Sequence, residues 1–251
     1  MNVHITNEPV HVRAPDDPAR GAAHLRSISW AAGIVVCGVG CVVLTGWFLD
    51  IPVLKSIHPA WVSMKPNTAL SFFLVGLALS LQSGRSLSAF RTRTGQLLAL
   101  FVAVIGGMTL CEYLCGWNLG IDEILIKDNT AAVATSSPGR MALATAVCFI
   151  LQGLSLWQIE WEPRRRFRLA EALSLVAALI GLSSIIEYVI GQPILCCFGF
   201  STRMALHTSV IFLMVSIGVV FARPAQGTAG ENSVITNCSP GSSVAVFEAM
   251  G

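Results

Sequence analysis

The sequence predicts an all-α membrane protein of six transmembrane helices, built as three parallel-repeated helical hairpins. Three observations predict it: a composition too apolar for a soluble domain, six continuous apolar runs, and a pattern that returns three times. Of 251 residues, 54% are hydrophobic and 12% charged, with a mean hydropathy of +0.69. Soluble domains carry about 25% charged residues. The runs fall near 28–49, 66–83, 96–116, 141–158, 169–190 and 204–222. A hydrocarbon core about 30 Å thick takes roughly 17–25 helical residues, so each run is long enough. They are continuously apolar rather than alternating, which selects helices over a barrel.

The elements follow in chain order. Segment 1–27 is polar and carries Pro and Asp, with no apolar core of the signal-peptide kind. The first run is too long for a signal sequence and is read as a retained helix. The hairpins are expected at about 28–83, 96–158 and 169–222, and a flexible tail at 223–251. Arg13, Arg20 and Arg26 precede the first run, and Arg85, Arg91 and Arg93 separate the second from the third. Arg164, Arg165, Arg166 and Arg168 separate the fourth from the fifth, and Arg223 follows the sixth. Eleven of the sixteen Lys and Arg thus share one side, which the positive-inside rule makes cytoplasmic, together with both termini.

The repeat is legible in both helices of each hairpin. The returning helices begin "SMKPNTALSF" (63–72), "RMALATAVCF" (140–149) and "RMALHTSVIF" (203–212). Met64, Thr68, Phe72 and Gly76 are four apart and follow one helical stripe. Met141, Thr145, Phe149 and Gly153 repeat it, as do Met204, Thr208, Phe212 and Ser216. This stripe reads as the packing seam of each hairpin. The outgoing helices end "GCVVLTGWFLD" (40–50), "GGMTLCEYLCG" (106–116) and "GLSSIIEYVIG" (181–191), with Gly46 where the other two have glutamate.

The polar residues of the repeat gather at one end. Glu112 lies about 16 residues into its helix, roughly 24 Å at 1.5 Å per residue, near the outer boundary. Glu187 has the same depth. An aromatic belt explains Tyr113 and Tyr188 as interfacial anchors, but it needs no carboxylate. Asn67, Ala144 and His207 occupy equivalent positions, one residue before Thr68, Thr145 and Thr208. Threonine can bond back to a helix carbonyl, whereas His207 and Asn67 each need a partner, and the nearest acids in depth are Glu112 and Glu187. The candidate signal-binding cluster at the outer face is therefore Asn67, Thr68, Glu112, Tyr113, Thr145, Glu187, Tyr188, His207 and Thr208. The outer segments 56–67 and 116–140 flank it, and "IDEILIKD" within the second reads either as an amphipathic piece or as plain loop charge. Spacing neither requires nor forbids a disulfide between Cys111 or Cys115 and Cys196 or Cys197.

No nucleotide-binding, metal-pair or nucleophile-turn motif appears. No catalysis, cofactor, metal or nucleic-acid partner is expected. "HPAWVSMKPNTALSFFLVGLALSL", "GGMTLCEYLCGWNLGID" and "SSPGRMALATAVCFILQGLSL" resemble the multi-helix sensor region at the N-terminus of bacterial hybrid histidine kinases and related PAS- and GGDEF-containing signalling proteins. The likeness runs from about residue 28 to "FARPAQG" at 221–227. It implies an inner-membrane signal-input domain of a two-component or similar system, with its output module outside this polypeptide. The partners it implies are the bilayer, a cytoplasmic signalling protein or kinase module, a small-molecule or membrane-derived signal, and a second copy of the chain. A small transporter or channel subunit is the alternative, and a ligand-free structural subunit a third reading.

Overall fold

The computed structural model describes residues 18–56, 58, 61–84, 88–126, 139–159, 169–192 and 203–223. Segment 1–17, Asp128, the arginines at 164–168, Cys196, Cys197 and the tail from 224 lie outside the described residues. Among the described residues the fold is all-helical: α1 (Pro18–Phe48), α2 (Pro52–Lys55), α3 (Pro66–Ser83), α4 (Ala89–Cys115), α5 (Leu143–Gln158), α6 (Leu169–Ile190) and α7 (Leu206–Ala222), with a 3-10 turn at Ile121–Glu123. Each expected apolar run contains one long helix. Two begin earlier than hydropathy marks: α1 at Pro18 rather than 28, and α4 at Ala89 rather than 96. Alanine and arginine favour helix whatever their solvent, and Ser88 caps α4 by accepting from Arg91 N at 3.3 Å.

Helices α1, α4 and α6 are long and apolar enough to cross a membrane. They turn Val42, Leu97, Phe101, Leu175 and Leu179 outward, a burden of exposed hydrocarbon that suits lipid rather than water. The shorter helices α3, α5 and α7 form the interior and touch one another. Each packs most extensively against one outer helix, in the pairs α1–α3, α4–α5 and α6–α7. Contacts of α3 with α4, α5 with α6 and α7 with α1 close the ring.

Positions that align in sequence make the same contacts. A Cβ added at Gly40 would lie 2.7 Å from Ala69 O, one at Gly106 2.7 Å from Ala146 O, and one at Gly181 3.1 Å from Ser209 O. Two turns further in, a Cβ at Gly76 would lie 2.6 Å from Gly33 O, and one at Gly153 2.6 Å from Ala99 O. Backbones this close leave no room for a side chain, as packing in lipid favours. In the third pair Ser216 replaces that glycine, donates to Ser174 O at 2.9 Å and accepts from Gln152 Nε2 at 2.7 Å. The three outgoing helices also end alike, on a left-handed residue: Asp50 (φ 54), Gly116 (φ 66) and Gly191 (φ 76). Aspartate is among the few side chains that visit this region readily.

Phe72, Phe149 and Phe212 meet at the centre, fully buried. Their ring centroids are 4.8, 4.8 and 4.9 Å apart, in the tilted and edge-on geometries that the ring quadrupoles prefer.

Candidate functional site

The chain turns into α3, α5 and α7 at one end of the bundle, and the repeated polar residues lie there. Met64, Met141 and Met204 are buried just before the helix starts. In the first two pairs the aromatic residue of the outgoing helix clasps this turn. Trp47 Nε1 donates to Met64 O at 2.8 Å, and Tyr113 Oη donates to Met141 O at 3.0 Å. Tyr188 lies against Trp61 instead, ring centroids 5.5 Å apart.

Around the second clasp sits a charged group. Glu112 Oε1 accepts from Leu119 N at 2.8 Å, and its Oε2 faces Arg140 Nε at 3.5 Å. Arg140 Nε donates to Asp122 Oδ2 at 2.7 Å, and the guanidinium lies 5.4 Å from the centre of the Tyr113 ring. Burial pulls the Arg140 pKa down, but the hydrogen bond to Asp122 and the charges of Asp122 and Glu112 outweigh it and hold the group above its ordinary value. Gly139 makes the approach possible: its φ is 71, and a Cβ there would lie 2.7 Å from Asp122 O. Asn67 joins the same connection, donating from Nδ2 to Ile121 O at 2.9 Å.

Two expectations for polar pairing need correction. His207 pairs with neither Glu112 nor Glu187: its Nε2 is buried without a hydrogen-bond partner among the described residues. Glu112 is taken by Arg140 and the Leu119 amide, which its own connection delivers, and a guanidinium binds a carboxylate more strongly than a neutral ring does. The threonines do not bond back to their helices either. Ser71 and Ser209 do so beside them, to Asn67 O at 2.8 Å and Ala205 O at 3.3 Å. The hydroxyls of Thr68, Thr145 and Thr208 make no hydrogen bond among the described residues, though these residues are only 3%, 2% and 1% exposed.

All three threonines line one small pocket of about 10 Å³, room for roughly one water molecule. Lys65, Arg140 and Arg203 share its wall with Met64 and Met141, and among the described residues no carboxylate lines it. The expected nine-residue cluster therefore divides. Thr68, Thr145 and Thr208 face the pocket, while Asn67, Glu112 and Tyr113 brace the turns around it. Glu187 is buried on α6, Tyr188 packs on Trp61, and His207 stands outside the lining. The cations are what sequence reasoning missed. Their signal was a basic residue three to five positions before each repeated threonine. Cys111 and Cys115 are exposed and form no disulfide among the described residues. No protein-family model, curated protein or solved structure matches the chain.

Proposed function

We propose that the chain is an integral membrane signal-input domain of six transmembrane helices, in which three parallel hairpins surround a pseudo-three-fold axis. A signal binds in the axial pocket at the outer face, and the hairpins shift relative to one another in response. The observation that carries this reading is a pocket with a floor. Phe72, Phe149 and Phe212 close the axis four residues beyond the threonines, roughly 6 Å at 1.5 Å per residue. A site that binds but does not lead through suits sensing better than conduction. The close glycine seams hold each hairpin together, while the contacts between hairpins run through fewer backbone approaches. A ligand biases such an assembly only by binding two arrangements unequally. Both termini lie in the cytoplasm of an inner-membrane protein, where 164–168 and the tail from 224 meet a signalling partner or kinase module.

The competing reading is a small transporter or channel. Flux through the full chain in liposomes separates them, measured with labelled phosphate, chloride and potassium. The sensor reading expects entry no faster than into empty liposomes, and saturable entry of any of these would replace it with the transporter reading.

A further inference from the structure

We infer that the second and third helix pairs, α4–α5 and α6–α7, are bonded into one body, and that the first pair, α1–α3, is the part that moves against it. The inference rests on the reading of a domain whose hairpins shift, and it names the one that does.

The pairs meet at three interfaces, and one of them carries side-chain hydrogen bonds over about two turns of helix. Where α5 meets α6, Cys148 Sγ donates to Ala177 O at 3.7 Å and Ser155 Oγ donates to Ala170 O at 2.6 Å. Between them Gln152, fully buried, uses both ends of its amide. Its Nε2 donates to Ser216 Oγ on α7 at 2.7 Å, and its Oε1 accepts from Ser174 Oγ on α6 at 3.1 Å. Interhelical bonds of this kind hold helices together where apolar surface alone gives no preference over lipid. A satisfied polar group in an apolar core also rigidifies it and fixes which positions face one another.

The repeat shows what the other two interfaces lack. Ser155 corresponds to Ala78 in α3 and Gly218 in α7, and Gln152 corresponds to Val75 and Val215. None of these four has a side chain that can bond across. Cys148 corresponds to Ile211 and to Ser71, whose hydroxyl is spent on Asn67 O in its own helix. Both interfaces of the first pair therefore lack the bonds that join the second pair to the third. Within itself the first pair is tightly held. Gly33, Gly40 and Gly76 keep the backbones of α1 and α3 in contact, and Ser29 Oγ and Ser83 Oγ share a hydrogen bond of 2.6 Å. It moves as a unit.

The far end of this pair holds the group that such a motion satisfies. Gln82, the last residue but one of α3, is 2% exposed, and neither its Oε1 nor its Nε2 has a hydrogen-bond partner among the described residues. It lies against Gly95 of α4, where a Cβ would be 2.8 Å from Gln82 Cγ. An amide buried without partners raises the free energy of this arrangement. A separation of α3 from α4 that admits water lowers it again. At the opposite end of α3, Asn67 Nδ2 stays on Ile121 O at 2.9 Å and serves as the pivot. The first pair thus swings about its outer end and opens at Gln82, and α1, which continues back to Pro18, carries the motion out of the bundle.

The test is pulsed dipolar spectroscopy on the full chain in lipid nanodiscs, with spin labels on p-acetylphenylalanine introduced in pairs at Ile34, Leu100 and Leu175. These residues are equivalent in the repeat and exposed on α1, α4 and α6. The Leu100–Leu175 pair should give one narrow distance. The Ile34–Leu100 and Ile34–Leu175 pairs should each add a second, longer by about 3 Å or more, the room a hydrogen-bonded water takes. Gln82→Leu should deplete that second population. Gln152→Leu combined with Ser155→Ala should give Leu100–Leu175 a second distance as well, and Ser155→Ala alone stands in if the double variant does not fold. A second distance for Leu100–Leu175 in wild type, one narrow distance for all three pairs, or indifference to these variants overturns the inference. The expected pattern in a chain that also passes solute into liposomes keeps this inference and removes the sensor reading; three equal distributions without flux do the reverse.

Discussion

In the α1–α3 pair an indole, Trp47, clasps Met64 O, and a buried lysine, Lys55, sits 4.5 Å from the centre of its ring. In the α4–α5 pair a phenol, Tyr113, clasps Met141 O, and Arg140 lies 5.4 Å from its ring. The clasp and its cation are common to both, but the acids are not. Lys55 pairs with Asp50, whose side chain is 89% exposed, whereas Arg140 has Glu112 and Asp122, at 0% and 6%. Gly46 stands where Glu112 would, and a Cβ there would already lie 2.5 Å from Leu54 Cβ in the short helix α2. Ser63 in turn stands where Arg140 and Arg203 do. Acid and arginine are missing together. The carboxylate is therefore not part of the clasp; it holds an arginine over the pocket.

The largest effect expected from this comparison is that of Arg140→Ser, which gives the second pair the residue of the first. Glu112 and Asp122 would be left buried without their cation, a loss of about 3–5 kcal/mol. Adding Glu112→Gly should recover part of that loss, with a coupling of about 0.5–3 kcal/mol, read from thermal or SDS unfolding in maltoside. Purely additive effects would break the comparison, because acid and arginine would then act independently.

The coupling also shows how far sequence reasoning reached. Helix positions were legible because apolar runs and the Met-Thr-Phe stripe are local signals, and the seam at Gly40, Gly106 and Gly181 follows from the same period. The phenylalanines of that stripe were expected in the seam within each hairpin, but Phe72, Phe149 and Phe212 meet one another across the three pairs, which spacing along one helix does not reveal. The partner of Glu112 was not legible. Depth alone paired it with His207, but Arg140 comes from the far end of a connection whose path depends on Gly139 and on Asp122. The grouping of the threonines at one end of the bundle was legible, but not what their hydroxyls do there. Their hydroxyls were expected to bond back within the helix, and nothing in one helix reveals that three of them face a common cavity.

A smaller effect tests the clasp itself. Trp47→Phe and Tyr113→Phe each remove one donor to a methionine carbonyl while keeping a ring in place. Each should cost about 1 kcal/mol, and the two should match, measured as a shift in unfolding midpoint. A clearly larger loss at Tyr113 would mean that Glu112 and Arg140 depend on the phenol, and the two pairs would differ in more than their acids.

The smallest effect concerns His207, the third-pair counterpart of Asn67. Asn67 has a reason to be polar, since its Nδ2 reaches Ile121 O at 2.9 Å. His207 has no such partner for Nε2, which is buried all the same. A buried nitrogen left unbonded carries a desolvation cost, and replacing it by hydrocarbon of similar size is close to neutral or stabilising. His207→Leu should therefore match or exceed wild type in thermal stability. His207→Asn should fall below it by about 1 kcal/mol, because it adds an amide where no acceptor is in reach. Sequence reasoning alone expects the opposite order, with Asn tolerated as a copy of Asn67 and Leu the worse. The order of these two variants thus decides whether the three returns share only their backbone and seam, or share a polar partner at this position as well.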